Sequence, residues 1–333
     1  MEAIDHMTTR RGAAALAGTV VIAASIALAA GCGGGGEGGR HLPSIVVALD
    51  FTPNPVHAPI FTAVREGDDL RHGIRIRIQT PGSQPDSLKL LSAGRADVGI
   101  LDIQDLGLAR LKGADIVAIG ALVQRPLAAL VAQPQIRSPR DLAGKTVGVS
   151  GLPSDPAFLR AIVGHVGGDY RAIRQVTIGF AAVSALLTKR VAAVPAFWNV
   201  EGVILRRKGL PVKEFRIDDY GAPKFPEVVL MVRRSTLEHR RGDLVRFLAA
   251  VRDGLRSTLA HRDAAARQIA RAAGTPDVAL ERAELDAVAP AMLPPLRLDR
   301  RVLEQWADFD VRTGLLPRRP NIDRAFDFAL ANG

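Results

Sequence analysis

The stretch Ile45-Val-Val-Ala-Leu49-Asp-Phe-Thr-Pro-Asn-Pro-Val-His-Ala-Pro59 joins an apolar run to the start of a helix. A short, continuously apolar run bounded by turn residues reads as a buried strand. Three prolines stiffen the loop behind it, and Asp50, Phe51, Asn54 and His57 stand close together there. Two readings of the loop stand side by side. A rigid polar and aromatic loop at a strand's carboxyl end suits small-molecule recognition. A capped turn explains the same residues, with Asn54 bonding the backbone and His57 on the first helical turn.

Outward from this stretch the pattern repeats. Ile74–Ile78, Ala96–Leu101 and Asp115–Ile119 read as strands, separated by helices near 57–70, 85–93 and 102–112. A second run follows, with strands at Lys145–Val149, Gln175–Ile178, Val191–Val194 and Val212–Ile217 and helices near 155–166, 181–189 and 199–208. Glu227–Val232 is a further strand, and the chain is helical after it. Leu244, Leu248, Val251, Leu255 and Leu259 form the stripe of a helix packed on a core. Alternating strand and helix implies mostly parallel sheets covered on both faces. The fold class is α/β, with two lobes and a ligand cleft at the carboxyl ends of the strands.

Composition narrows the function. The chain has 333 residues, and 44 Lys+Arg against 34 Asp+Glu give +10. An apolar share of 47% excludes disorder as the main theme. The one cysteine excludes an internal disulfide and a cysteine-held zinc or iron–sulfur site. The seven histidines show no metal-ligand pairing, so neither a metal nor a cofactor is expected. Gly144-Lys-Thr146 lacks the first glycine of a P-loop, because Pro139 stands there. Gly148-Val-Ser150 lacks the closing glycine of a nucleophile elbow, because Leu152 stands there. No motif supports an enzyme. The arginines are scattered without interleaved aromatics, which argues against nucleic acid.

The first residues read as an address. Arg10 and Arg11 precede an uncharged apolar run, Gly12 to Gly31, which describes a secretory signal over residues 1–31. About twenty apolar residues also suffice for an uncleaved membrane span. Cys32 follows Leu28-Ala-Ala-Gly31 and resembles the lipidated cysteine of a bacterial lipobox. That resemblance implies an anchor at Cys32, a glycine-rich tether over 32–43, and residence on the outer face of the cell membrane.

The loop resembles that of the thiamine-pyrimidine family, which contains periplasmic binding proteins for thiamine-pyrimidine precursors and the fungal pyrimidine synthases similar to them. The shared pattern is Asp-aromatic-x-Pro-Asn-x-x-His-x-Pro, with Phe51 where tryptophan is usual. Resemblance continues through Ser92–Gly99, Ile136–Gly148, Phe197–Glu201 and Asp219–Glu227. Val191-Ala192 departs from the family's Val-Asp. The resemblance implies a bilobal periplasmic-binding-protein type II fold, with lobe one at 44–131 and 226–333 and lobe two at 132–225. It implies a monomeric solute-binding component of an ABC importer, partnered by a permease and its ATPase, for an aminopyrimidine ligand.

The expected ligand contacts are Asp50, Phe51, Asn54, His57, Trp198, Asn199, Tyr220 and Glu227. Phe51 and Trp198 would sandwich a flat ring, while Glu227 or Asp50 would accept from its amine. Trp198 reads equally as core, Glu227 as a partner of Lys224, and Tyr220 as a packing residue at the hinge. Only Lys224 stands as a cation among the cleft candidates. The synthases consume the histidine matching His57 and carry a cysteine-rich run where this chain has Gly221–Pro226, so the similarity favours binding without synthesis. A riboflavin-like ring, nitrate, taurine or another sulfonate is the alternative ligand. A pyrimidine-processing enzyme is the alternative class.

Overall fold

The computed structural model describes residues 42–81, 87–151, 155–179 and 181–333. The expected leader, Cys32, the tether up to residue 41 and Leu152 lie outside the described residues.

The first run of elements is β1 (Ser44–Ala48), α1 (Ala58–Glu66), α2 (Asp68–Arg71), β2 (Arg75–Gln79), α3 (Ser87–Ser92), β3 (Val98–Asp102), α4 (Ile103–Leu111) and β4 (Ile116–Ala121). The second is β5 (Ala128–Ala132), β6 (Thr146–Val149), α5 (Asp155–His165), β7 (Arg174–Thr177), α6 (Ala182–Leu187), β8 (Ala193–Phe197), α7 (Glu201–Arg207) and β9 (Lys213–Arg216). The chain then returns as β10 (Val228–Arg233) and ends in helices. These begin with α8 (Arg234–His239), α9 (Arg241–Ala260), α10 (Arg262–Ala273), α11 (Val278–Val288) and α12 (Arg300–Thr313).

Two five-stranded sheets result, in the orders β2-β1-β3-β10-β4 and β7-β6-β8-β5-β9. The expectation of mostly parallel sheets needs correction. β1 runs parallel to β2 and β3, but β10 is antiparallel to both β3 and β4. Likewise β6 is parallel to β7 and β8, whereas β5 is antiparallel to β8 and β9. The cause is connectivity. β5 and β10 are the strands by which the chain enters each sheet from the other one. Each enters at the edge where neighbouring strands end, and so runs the opposite way.

β5 was not anticipated. Ala128-Ala-Leu-Val-Ala132 is small and apolar throughout, with neither alternation nor turn residues to mark it. It spans position 131/132, where the sequence reading put a lobe boundary, and it pairs within the second sheet.

Alternation along each strand covers both faces. Val228, Leu230 and Val232 join one core cluster, while Val229 and Met231 join the other. Ala129 and Val131 divide from Leu130 and Ala132 in the same way. On α9, Leu244, Phe247, Leu248, Val251 and Leu255 are buried, and Leu259 is half-buried. This helix seats the loop behind β1 by packing against α1. At Gly254 a Cβ would fall 2.1 Å from the carbonyl oxygen of Pro59, so only glycine allows the approach. The buried hydroxyls of Thr258 and Thr62 meet at 2.9 Å across the same contact.

Candidate functional site

The carboxyl ends of β1 and β3 and the start of β10 lie at one edge of the first sheet, since Val228 pairs with Asp102. That edge gathers Asp50, Asp102, Asp105 and Glu227. The corresponding edge of the second sheet gathers Phe197, Trp198 and Arg216, since Ala128 pairs with Phe197 and Ala129 with Arg216.

The loop between β1 and α1 is bound to itself. Asn54 caps the single 3-10 turn Pro55–His57, its Oδ1 accepting from the Val56 N–H at 3.0 Å. Its Nδ2 donates to the Thr52 carbonyl at 3.1 Å. The ring of His57 closes the turn, because Nδ1 accepts from the Asn54 N–H at 3.2 Å. The proton therefore sits on Nε2, which donates to Asp50 Oδ1 at 2.8 Å. His57 is 1% exposed, and both ring nitrogens are occupied. The capped-turn reading thus holds for Asn54 and His57. Asp50, partly exposed, presents its carboxylate from this brace, and Phe51 beside it is 44% exposed.

Glu227 ties the two crossings together. Its Oε2 accepts from the N–H groups of Leu127 and Ala128, the second at 2.9 Å, so the return segment holds the outgoing one. It does not take Lys224 as partner; that side chain is exposed. Burial pushes the Glu227 carboxyl up to about 7 despite these two bonds, and Asp218 adds to the rise. Burial also holds Asp102 well above the ordinary range, reinforced by Glu227, Asp105 and Asp50. Asp105 is raised by its surroundings and by Asp50, although water reaches its side chain. Among the described residues no group of His, Cys, Asp and Glu has the arrangement of a metal site.

Across the cleft edge, Trp198 is buried. Its Nε1–H donates to the Pro126 carbonyl at 3.0 Å. The guanidinium of Arg216 covers its ring at 4.1 Å, and that of Arg125 lies at 5.7 Å. Arg125 is in turn paired to Asp218 at 2.6 Å. Of the two readings of Trp198, ring sandwich with Phe51 or core, the structure adds that the indole is buried and that arginine covers its ring. Phe197, one residue earlier, is 36% exposed. The expectation that Lys224 is the only cation here is corrected. No spacing or motif marked Arg125 and Arg216, which reach the tryptophan only through the fold. Asn199 is fully buried, with neither side-chain polar atom hydrogen-bonded. Tyr220 packs edge-on between His165 and Phe215, centroids 5.7 and 5.8 Å away, as a packing residue would.

Residues 54–265, well over half of the chain, match the profile described as NMT1/THI5 like. The chain belongs to that family. It is 30% identical over 216 residues to the formylaminopyrimidine-binding protein of Halalkalibacterium halodurans, covering 64% of this chain and 66% of that protein, just under two thirds of its length. It is 26% identical over 227 residues to the 4-amino-5-hydroxymethyl-2-methylpyrimidine phosphate synthase of Uromyces fabae, covering 63% and 65%. In fold it is similar to the periplasmic aliphatic sulphonate binding protein of Escherichia coli, with a TM-score of 0.68, 17% identity, and 87% and 99% coverage. The NMT1/THI5-like chain thus has the α/β bilobal fold of solute-binding proteins. Among its described residues no helix is long and apolar enough to cross a membrane.

Proposed function

We infer that this chain is the solute-binding component of an importer, and that its solute is an amine-bearing pyrimidine of the kind found in thiamine. The observation that carries this reading is the two-signed cleft edge. Carboxyls at Asp50, Asp102 and Asp105 stand at the edge of the first sheet, and guanidinium groups at Arg125 and Arg216, each also paired to one carboxylate (Asp218 and Glu214), on the second side. A neutral ring bearing an amine and an acceptor finds partners on both. A small anion finds them on one side only. The similarity to a formylaminopyrimidine-binding protein supports the same ligand class.

Binding without turnover is supported by His57. A reactant histidine must be reachable, and this one is enclosed with both nitrogens engaged. Gly221–Pro226 also offers no cysteine. Cys32 carries the lipid anchor in this reading, and a permease with its ATPase completes the importer. Cys32→Ala should release the protein from the membrane or leave the precursor uncleaved.

The test of the ligand is a thermal shift series with formylaminomethyl- and hydroxymethyl-aminopyrimidines, thiamine, riboflavin, taurine and nitrate. A ligand at a hundredfold its dissociation constant should add about 2.7 kcal/mol of stability. Stabilisation by taurine or nitrate and not by a pyrimidine would sink the assignment. Chemical conversion of a bound pyrimidine would move the chain to the synthases.

A further inference from the structure

The buried face of α11 is made of Glu281, Glu284, Leu285 and Val288. Two of the four positions on an apolar stripe are therefore carboxylic acids, which a helix does not need for packing. Glu281 is 6% and Glu284 3% exposed, and Glu281 Oε2 has no hydrogen-bond partner. α11 follows β10 and belongs with the first sheet. It packs against α7, which belongs with the second, and against the turn that carries His57. It is a place where one lobe presses on the other beside the binding loop.

Among the described residues the cations around this contact are shared with, or engaged by, other carboxylates. From α7, Glu201 faces Glu284 as a third carboxyl and Arg207 is the cation that opposes it, yet Arg207 also pairs with Asp277 at 3.5 Å. Arg206 of α7 is bound to Glu214. From α10, Arg262 and Asp263 are engaged by Asp286 and Arg282, on the other side of α11. Arg267 and Arg271 of α10 line an open surface depression with Arg65. His57 has both nitrogens taken within its own loop. Asp277, at the start of α11, adds a like charge to both acids.

We propose that Glu281 and Glu284 form a proton-operated latch between the lobes, closed when these side chains are neutral and released when they ionise against Glu201. Burial raises Glu281 to about 7, with Asp277 adding to it. Burial raises Glu284 to about 8, with Glu281, Glu201 and Asp277 adding to it. The sign follows from linkage. When α7 and α11 part, both acids return to the ordinary glutamate range, so the closed form binds more protons than the open one. Closure is then favoured in acid. It weakens as pH rises from the ordinary range to about 7 or 8, by up to about tenfold per unit for each group, and is level above that. A solute captured in an acidified exterior would be held more firmly than one met at alkaline pH.

The test needs no solute, so its failure is distinct from failure of the ligand assignment. In the Cys32→Ser chain, spin labels at exposed Lys208→Cys and Ala279→Cys report the α7–α11 distance. The distance should lengthen as pH rises from the ordinary glutamate range towards about 7 or 8, and should not change further above that. Glu281→Gln with Glu284→Gln should remove that response and keep the short distance at alkaline pH. Glu201→Gln leaves α11 untouched and should weaken the pH response, since Glu201 is one of the charges that hold the Glu284 carboxyl up in the closed form. A distance independent of pH would overturn the proposal. So would a response unchanged in the double variant, which would assign it instead to Glu227, Asp102 or Asp310, the last a fully buried acid on α12.

Discussion

The loop at 49–57 and the turn at 197–201 meet at the same cleft but are built in opposite ways. In the loop every polar group described above finds its partner a few residues away: Asn54 with Val56 and Thr52, His57 with Asn54 and Asp50. In the turn the Phe197 N–H finds the Glu201 carboxylate nearby at 3.0 Å, but the partners of Trp198 come from far along the chain. Trp198 bonds Pro126 and lies under Arg216 and Arg125, while Asn199 has no partner at all. One wall of the cleft is therefore rigid before any solute arrives. The other depends on how the two crossings sit, so damage to it should spread through the molecule. Damage to the loop should stay local.

The largest effect expected is at Trp198. Trp198→Ala removes a buried indole, its hydrogen bond and the surface on which two guanidinium groups rest. It should cost about 3–5 kcal/mol of global stability, read from urea unfolding. Unchanged stability with lost pyrimidine binding would make Trp198 an ordinary binding face and break the contrast between the two walls.

Next is the pH dependence set by Glu227. Its carboxyl is raised from 4.5 to about 7 in the folded chain, so folding is opposed as pH rises through that window and the effect is level above it. Wild-type stability should fall between about pH 5 and pH 7 by up to about 3 kcal/mol from this group. Glu227→Gln keeps an oxygen for Leu127 and Ala128 and should flatten that part of the curve. A variant whose pH profile matches the wild type would assign the titration to Asp102 or Asp310, the latter raised by burial to about 8.

A smaller and local effect is expected at His57. His57→Ala leaves the Asn54 N–H without its acceptor and strips Asp50 of its donor, for about 1–3 kcal/mol. Faster hydrogen exchange should be confined to residues near 50–58. Loss of protection reaching β5 or β8 would show that the loop is not self-contained.

The same contrast explains what the sequence disclosed. Strands such as β1 and β10 were legible because their burial is written in runs of Val, Ile and Leu. The loop was legible because proline, asparagine and histidine act on their near neighbours. Arg216 over Trp198, and the pairing of Arg125 with Asp218 across 93 positions, left no local trace. β5 escapes a sequence reading because alanine favours helices over strands, and only its neighbours β8 and β9 override that preference. Antiparallel entry at β5 and β10 is a property of the crossings and not of either strand's residues.

The smallest effect expected is also the sharpest on the loop. Asn54 has extended backbone angles, φ −146° and ψ 173°, and its Oδ1 satisfies a backbone N–H that the turn itself leaves unpaired. Asn54→Ala removes that acceptor and should cost about 1 kcal/mol, the usual value for a lost cap. Asn54→Ser restores a short acceptor and should recover most of it. Because His57 is held through the Asn54 backbone N–H and not its side chain, the brace to Asp50 should survive in both variants. Pyrimidine affinity should then change little in Asn54→Ser. If affinity instead falls as much in Asn54→Ser as in Asn54→Ala, the amide touches solute directly, and the rigid wall takes part in recognition as well as support.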